Sequence, residues 1–204
     1  MTHEKPSEET PRTAADWDER YGTTVLWSGD PNGSLLAVVP ELTPGTVLDV
    51  GCGEGADAVW LAGHGWTVTA LDVSRVAVER GRARAEAAGV AVTWAVAGFG
   101  ERALGQFDLV SAQYPAIPRH HGTRVEEDFA AAVAPGGRLL FVHHEMDEVP
   151  PAAAAQDYVM PQHMVDHLRA AGWEIERDEI RERHVSGGAG HGHTRDRVVL
   201  ARTP

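Results

Sequence analysis

Two hydrophobic periods alternate along this chain. Short apolar or β-branched runs occur at Thr46–Val50, Thr67–Leu71, Ala91–Ala95 and Phe107–Ala112, each bounded by glycine or polar turn residues. Such runs predict strands. Helical spacing fills the gaps. Ala56–His64 ends at Gly65, and Arg75–Ala88 lies between a Ser74 cap and Gly89. A third helix, Glu126–Val133, stops at Pro135-Gly136-Gly137. Arg138–His143 gives a fifth strand and Pro161–Ala171 a helix with proline in its first turn. Trp173–Arg183 and Arg195–Arg202 pair as a long hairpin. The alternation predicts one α/β fold: a doubly wound, seven-stranded, mostly parallel sheet with a C-terminal antiparallel β-hairpin.

The segment before the first strand has a different texture. Residues 1–12 are polar with two prolines, and predict a disordered tail ahead of a single domain at 13–204. Ala14–Tyr21 reads as a short helix capped by Thr13, with Trp17 and Tyr21 on one face. A turn-rich loop follows from Leu26 to Gly33, then a helix at Ser34–Val39 stopped by Pro40. Asn32 is placed to cap that helix. Residues 13–43 have two readings: an apolar cover on the sheet, or a lid over a bound ligand.

The most informative stretch is the end of the first strand. Val47–Val50 runs into Gly51, Gly53 and Gly55, a helical pattern follows, and the second strand ends in Asp72. This is a βαβ unit whose glycine loop opens onto a helix N-terminus. Asp72 lies 21 positions after Gly51, a spacing that brings its carboxylate to ribose hydroxyls. Gly51-x-Gly53-x-x-Ala56 also matches the dinucleotide fingerprint. The acids Asp49 and Glu54 argue the other way, because they would repel a pyrophosphate and suit an ammonium group. A ligand with adenosine at one end and an amino-acid cation at the other is S-adenosylmethionine.

Composition narrows the partners. The chain has 18 basic and 30 acidic residues, net −12, and no basic stripe that could follow a phosphate backbone, so nucleic acid is not expected. One cysteine rules out an intramolecular disulfide. No apolar run resembles a signal peptide or spans a bilayer, which points to the cytoplasm. The oligomeric state expected is monomer or homodimer.

The sequence resembles the class I S-adenosylmethionine-dependent methyltransferases, of the small-molecule kind that includes the thiopurine and tellurite-resistance enzymes. The resemblance is carried by Val-Leu-Asp-Val-Gly-Cys-Gly-Glu-Gly (47–55), Leu-Asp-Val-Ser (71–74), Phe-Asp-Leu-Val (107–110) and Ala-Pro-Gly-Gly-Arg-Leu (134–139). It implies a Rossmann-like fold and methyl transfer to an O, N or S atom of a small molecule. Asp49, Gly51, Cys52, Gly53 and Gly55 would hold the methionine end, and Asp72 with Val73 the ribose. The family often carries an acid for adenine after the third strand, where this chain has Gly98. The backbone of Gly98 and Phe99 would replace it, with Glu101 as the weaker alternative.

The acceptor side is read from the fourth and fifth strands. Gln113 and Tyr114 face the sulfonium and acceptor by resemblance, and Trp17, Tyr21 and Trp27 would wall the acceptor pocket from the N-terminal segment. Histidines follow at His120-His121, His143-His144 and His191 with His193. His143, at the tip of a central strand, is the expected base, with Tyr114 beside it. His143 or His144 with Glu145, His191 and His193 has metal-ligand chemistry, but nothing fixes a geometry, and no metal is expected.

Overall fold

The computed structural model describes residues 13–22, 24–101, 103–119, 122–145, 158–183 and 194–204. The expectations of a disordered tail at 1–12 and of roles for His120, His121, His191 and His193 lie outside the described residues.

Helix α1 (Ala14–Tyr21) opens with the expected Thr13 cap: the Thr13 hydroxyl accepts from the Asp16 N–H, and the Asp16 carboxylate answers on the Thr13 N–H. Helix α2 (Gly33–Val38) ends just before Pro40, as expected. The chain then tightens into a 3-10 turn at Val39–Glu41, which accepts proline in its first positions. Then come β1 (Thr46–Val50), α3 (Ala56–Gly63), β2 (Thr67–Asp72), α4 (Arg75–Ala88), β3 (Val92–Val96) and β4 (Phe107–Gln113). The chain continues with α5 (Arg124–Ala131), β5 (Val133–His144), α6 (Pro161–Ala170), β6 (Glu174–Glu182) and β7 (Arg195–Arg202).

One boundary differs by several residues. The predicted helix at 126–133 ends earlier, because Val133 already pairs with Phe107. A register shift between Phe107 and Leu109 then absorbs the Pro135-Gly136-Gly137 turn, and β5 continues through it.

The seven strands lie in the order β3-β2-β1-β4-β5-β7-β6. Strands β1 to β5 pair in parallel, and β7 inserts antiparallel between β5 and β6. The hairpin therefore folds back so that its second strand, not its first, joins the parallel sheet. Register aligns Val50 with Leu71 on one side and Ala112 on the other. The residues that follow those strands consequently emerge together at one edge of the sheet.

Each face of the sheet has its own core. Phe129 from α5 and Met164, Val165 and Leu168 from α6 pack against Val110, Phe141 and Val199. On the other face, Leu35, Val38, Ala58 and Leu61 pack against Val47, Leu109, Leu140 and Val198. Helix α4 is capped by the Ser74 hydroxyl, which accepts from the Ala77 N–H, and ends at Gly89 in the left-handed region.

Candidate active site

Strand order reverses between β1 and β4, the place where open α/β sheets bind ligands beyond their carboxyl ends. A cavity of about 1710 Å³ lies there. That exceeds the roughly 300–1,000 Å³ of a single small-molecule site, so it has room for two ligands side by side.

The glycine loop forms one wall. Gly51, Gly53 and Gly55 all have positive φ, between 51° and 79°. Residues 51 and 52 donate their N–H groups to the Leu71 carbonyl, and Gly53 donates to Asp72 Oδ2 at 2.8 Å. Gly51, Cys52 and Gly53 line the cavity, whereas Gly55 is absent from its wall. A side chain at Gly55 would meet the Trp94 ring at 2.5 Å, so that glycine serves packing of β3 against α3 and α4. Burial and the nearby acids push the Cys52 thiol well up, which leaves it as unreactive filler.

Asp72 and Val73 line the cavity at the tip of β2. Asp72 has a second task. Its Oδ1 accepts from the Ser74 N–H at 2.8 Å while Oδ2 holds Gly53, so one carboxylate sets both the loop and the start of α4. Burial raises its pKa in spite of those bonds.

Asp49 is 2% exposed. No described residue supplies a hydrogen bond to its Oδ2. Burial first, then the charges of Asp57 and Asp72, drive its pKa well above the usual carboxylate value. On the adjacent strand, Gln113 donates from Nε2 to Ser111 Oγ at 3.3 Å, but its buried Oε1 has no donor among the described residues. Both residues line the cavity. Two buried acceptors without donors therefore face this end of it.

Glu54 does not belong to that pair, contrary to the sequence reading. It accepts from the Leu26 and Trp27 N–H groups at 3.2 Å and pairs with Arg80 at 2.7 Å. Asn32 also departs from expectation. Its side chain caps no helix and instead donates to Asp57 Oδ2 at 2.8 Å, with its N–H on Oδ1 at 2.7 Å. Asp18 accepts from Ser74 Oγ at 2.6 Å and from the Val76 N–H, and the Ser74 hydroxyl holds its carboxyl below the usual value. Three carboxylates thus tie this N-terminal segment to the loop, to α3 and to α4. Arg80 completes the joint by donating to the carbonyls of Tyr21, Gly22 and Thr24. No sequence signal separated Arg80 from the other arginines of α4.

Trp17, Tyr21 and Trp27 line the cavity from this segment. The Trp27 indole donates to the Tyr21 hydroxyl at 3.0 Å, and the Trp17 and Tyr21 rings lie 5.9 Å apart. The pair rests on the loop: a Cβ on Gly53 would come within 3.0 Å of the Tyr21 hydroxyl.

Gly98 and Phe99 line the opposite side. Glu101 reaches back, and its Oε2 accepts from the Gly98 N–H at 3.0 Å. The Phe99 ring lies 4.2 Å from that of Phe129. Beyond the switch point, Tyr114, His143 and His144 line the cavity together with Asp196 and Arg183. Tyr114 donates its hydroxyl to Asp196 Oδ2 at 2.6 Å. Burial and that carboxylate push the phenol pKa upward, so Tyr114 remains a donor. Among the described residues, no group of three histidines, cysteines or acids could hold a metal ion, and no helix is long and apolar enough to cross a membrane.

A family model described as a methyltransferase domain matches residues 47–137. The ribosomal RNA small subunit methyltransferase C of Chromohalobacter salexigens is 36% identical over 123 residues, which cover 55% of this chain and 37% of that one. The 2-heptyl-1-hydroxyquinolin-4(1H)-one methyltransferase of Mycobacteroides abscessus is 29% identical over 140 residues, 65% of this chain and 62% of that one. The chain therefore spans less than two thirds of either relative. A solved structure described for conversion of a disulfide bond into a thioacetal group during echinomycin biosynthesis shares the fold. Its TM-score is 0.74 at 24% identity, covering 92% of this chain and 90% of that one. Residues 47–137 thus match a methyltransferase domain, and the strand order and the glycine loop give the chain the fold that goes with it.

Proposed function

We propose that the protein methylates an O, N or S atom of a small-molecule acceptor and releases S-adenosylhomocysteine. One observation supports the cofactor half of this reading: Asp49 Oδ2 and Gln113 Oε1 are buried acceptors without donors among the described residues, and both residues line the cavity. Such a pair suits an ammonium group and repels a pyrophosphate. S-adenosylmethionine, when bound, supplies an electrophilic methyl group. The chain's residues then have assigned tasks. Asp49 and Gln113 accept from the methionine ammonium, Gly51, Cys52 and Gly53 let the ligand approach the backbone, and Asp72 with Val73 receives the ribose. Gly98 and Phe99 flank the adenine, with Glu101 orienting Gly98. Residues 13–43 act as a lid, in which Trp17, Tyr21 and Trp27 exclude water. Tyr114 and His143 stand at the acceptor end. Most of the rate would come from holding the two reactants in line.

The support for a small acceptor is the size of the cavity, which holds more than the cofactor alone, and its aromatic wall. A ribosomal RNA acceptor is the second reading, favoured by the 36% identical relative. The net charge of −12 weighs against it.

Calorimetric titration tests the cofactor: S-adenosylhomocysteine binds and NAD does not. Binding of NAD alone would overturn the reading. Labelled cofactor offered to a metabolite extract and to ribosomal RNA in parallel separates the two acceptor classes. Label in products one methylene heavier supports the small molecule, and label in RNA alone replaces it.

A further inference from the structure

The acceptor end of the cavity holds a charged residue that no sequence pattern singled out. Asp196 is the second residue of β7 and is 3% exposed. It stands directly opposite His144 in the sheet register. Its Oδ2 accepts from the Tyr114 hydroxyl at 2.6 Å, and its Oδ1 lies 3.1 Å from His144 Nδ1. Arg183 closes the cluster, with Nε at 3.7 Å from Asp196 Oδ2 and 3.3 Å from the Tyr114 hydroxyl. The Tyr114 and His144 rings stack at 4.4 Å. All four side chains line the cavity.

The chemistry of this cluster is directional. An ionised carboxylate only accepts hydrogen bonds, so the His144 nitrogen facing it carries the proton. In the neutral ring the lone pair then lies on Nε2, where a proton can be taken up. Tyr114 is held in the left-handed region, at φ 54°, which a non-glycine residue adopts only at a cost. The cost places its ring on His144 and its hydroxyl on Asp196.

We propose that Asp196 is a positioning residue that holds His144 as the base of the reaction, and that the acceptor presents an O–H or S–H group to it. The inference rests on the methyl-transfer reading above. The acceptor's lone pair forms the new bond to the methyl carbon while the carbon–sulfur bond breaks and its electron pair stays on sulfur. The acceptor proton passes to His144 Nε2. The positive charge thus moves from the sulfonium to the imidazolium, and a neutral methyl ether or thioether leaves with a neutral cofactor product. Asp196 faces that imidazolium, Arg183 and Tyr114 hold Asp196 in place, and His143 and Glu145 are the other titratable groups on the same strand end. The Asp196 contact separates His144 from its neighbour His143.

The test uses Asp196→Asn in the full chain. Nitrogen-15 NMR of histidine-labelled apo protein should show His144 protonated at Nδ1 in the wild type and redistributed in the variant. The titration with S-adenosylhomocysteine should stay within about twofold. With a panel of phenols and thiols, kcat should fall by about 10²–10⁴ and the acid limb of kcat/KM should move to lower pH. An unchanged kcat and limb, or a wild-type His144 protonated at Nε2, would overturn the proposal. The NMR measurement needs neither cofactor nor acceptor. If the wild type binds no S-adenosylhomocysteine, the methyl-transfer reading falls by itself while the tautomer still reports on Asp196. Should the variant not fold, His144→Gln replaces it, with the same fall in kcat expected and an unchanged kcat contradicting the base role.

Discussion

Glu54 and Arg80 meet at 2.7 Å across the joint between the N-terminal segment and the glycine loop. The Glu54 carboxylate is almost fully buried and also accepts from two backbone N–H groups of that segment. Arg80 gathers three of its carbonyls. The joint therefore depends on one acid and one base, and losing the acid takes the carboxylate from three donors: two backbone N–H groups and Arg80. Arg80 is partly exposed, so solvent screens part of the loss. Glu54→Ala should lower stability by about 1–3 kcal/mol in urea unfolding and weaken S-adenosylhomocysteine binding. Unchanged values for both would show that the segment is held by other contacts.

Asp49 gives a stability prediction of the opposite sign. Its pKa is raised in the folded chain by burial and by Asp57 and Asp72. A raised folded pKa means that the native state holds the proton more tightly than the unfolded chain. The contribution is complete below the usual carboxylate value and is lost as pH rises through the raised one. At neutral pH the carboxylate is thus a burden on the apo protein. Asp49→Asn should raise the urea midpoint at pH 7, flatten its fall between acid and neutral pH, and weaken S-adenosylhomocysteine binding at least tenfold. A lower midpoint at pH 7 would mean that the carboxylate is satisfied in the native state.

The strand–loop–helix–strand unit was legible because it is local. Val47–Val50, the three glycines and Asp72 lie within 26 residues, and hydrophobic period and glycine spacing report their geometry directly. The roles of the acids were less legible. Asp49 and Glu54 looked alike by position and both line the cavity, yet Asp49 Oδ2 has no donor among the described residues while Glu54 is taken up by Arg80, 26 positions away. Asn32 looked like a cap because it precedes a helix, but a buried carboxylate on α3 offers it more. Asp196 was invisible, since its partners Tyr114 and His144 lie 82 and 52 positions away. Sequence spacing cannot report a cluster assembled by an antiparallel strand inserted between two others.

Gly81 is a further case of distance hiding a role. It sits in the middle of α4, where glycine costs about 1 kcal/mol against alanine. A Cβ there would stand 2.5 Å from the Trp94 ring, which also presses on Gly55 of the loop. The close approach of α4 to β3 outweighs the helix penalty. Gly81→Ala should therefore destabilise by about 1–3 kcal/mol, a fall in Tm of several degrees. A rise in Tm would show that Trp94 moves aside without cost.

Trp27 tests the proposed lid most directly. It is 37% exposed, so its removal opens little core. What it provides is an indole N–H on the Tyr21 hydroxyl, above the loop at Gly53. Trp27→Phe keeps an aromatic ring and deletes that donor. A neutral hydrogen bond contributes about 0.5–1.5 kcal/mol, so the Kd for S-adenosylhomocysteine should rise about 2- to 12-fold if closure over the cofactor depends on the pair. The urea midpoint should move little, because the lost bond lies at the edge of the fold. The lid reading fails if the Kd is unchanged. It fails as well if the midpoint falls while the Kd holds, since the pair would then serve as a cover for the sheet with no bearing on the ligand.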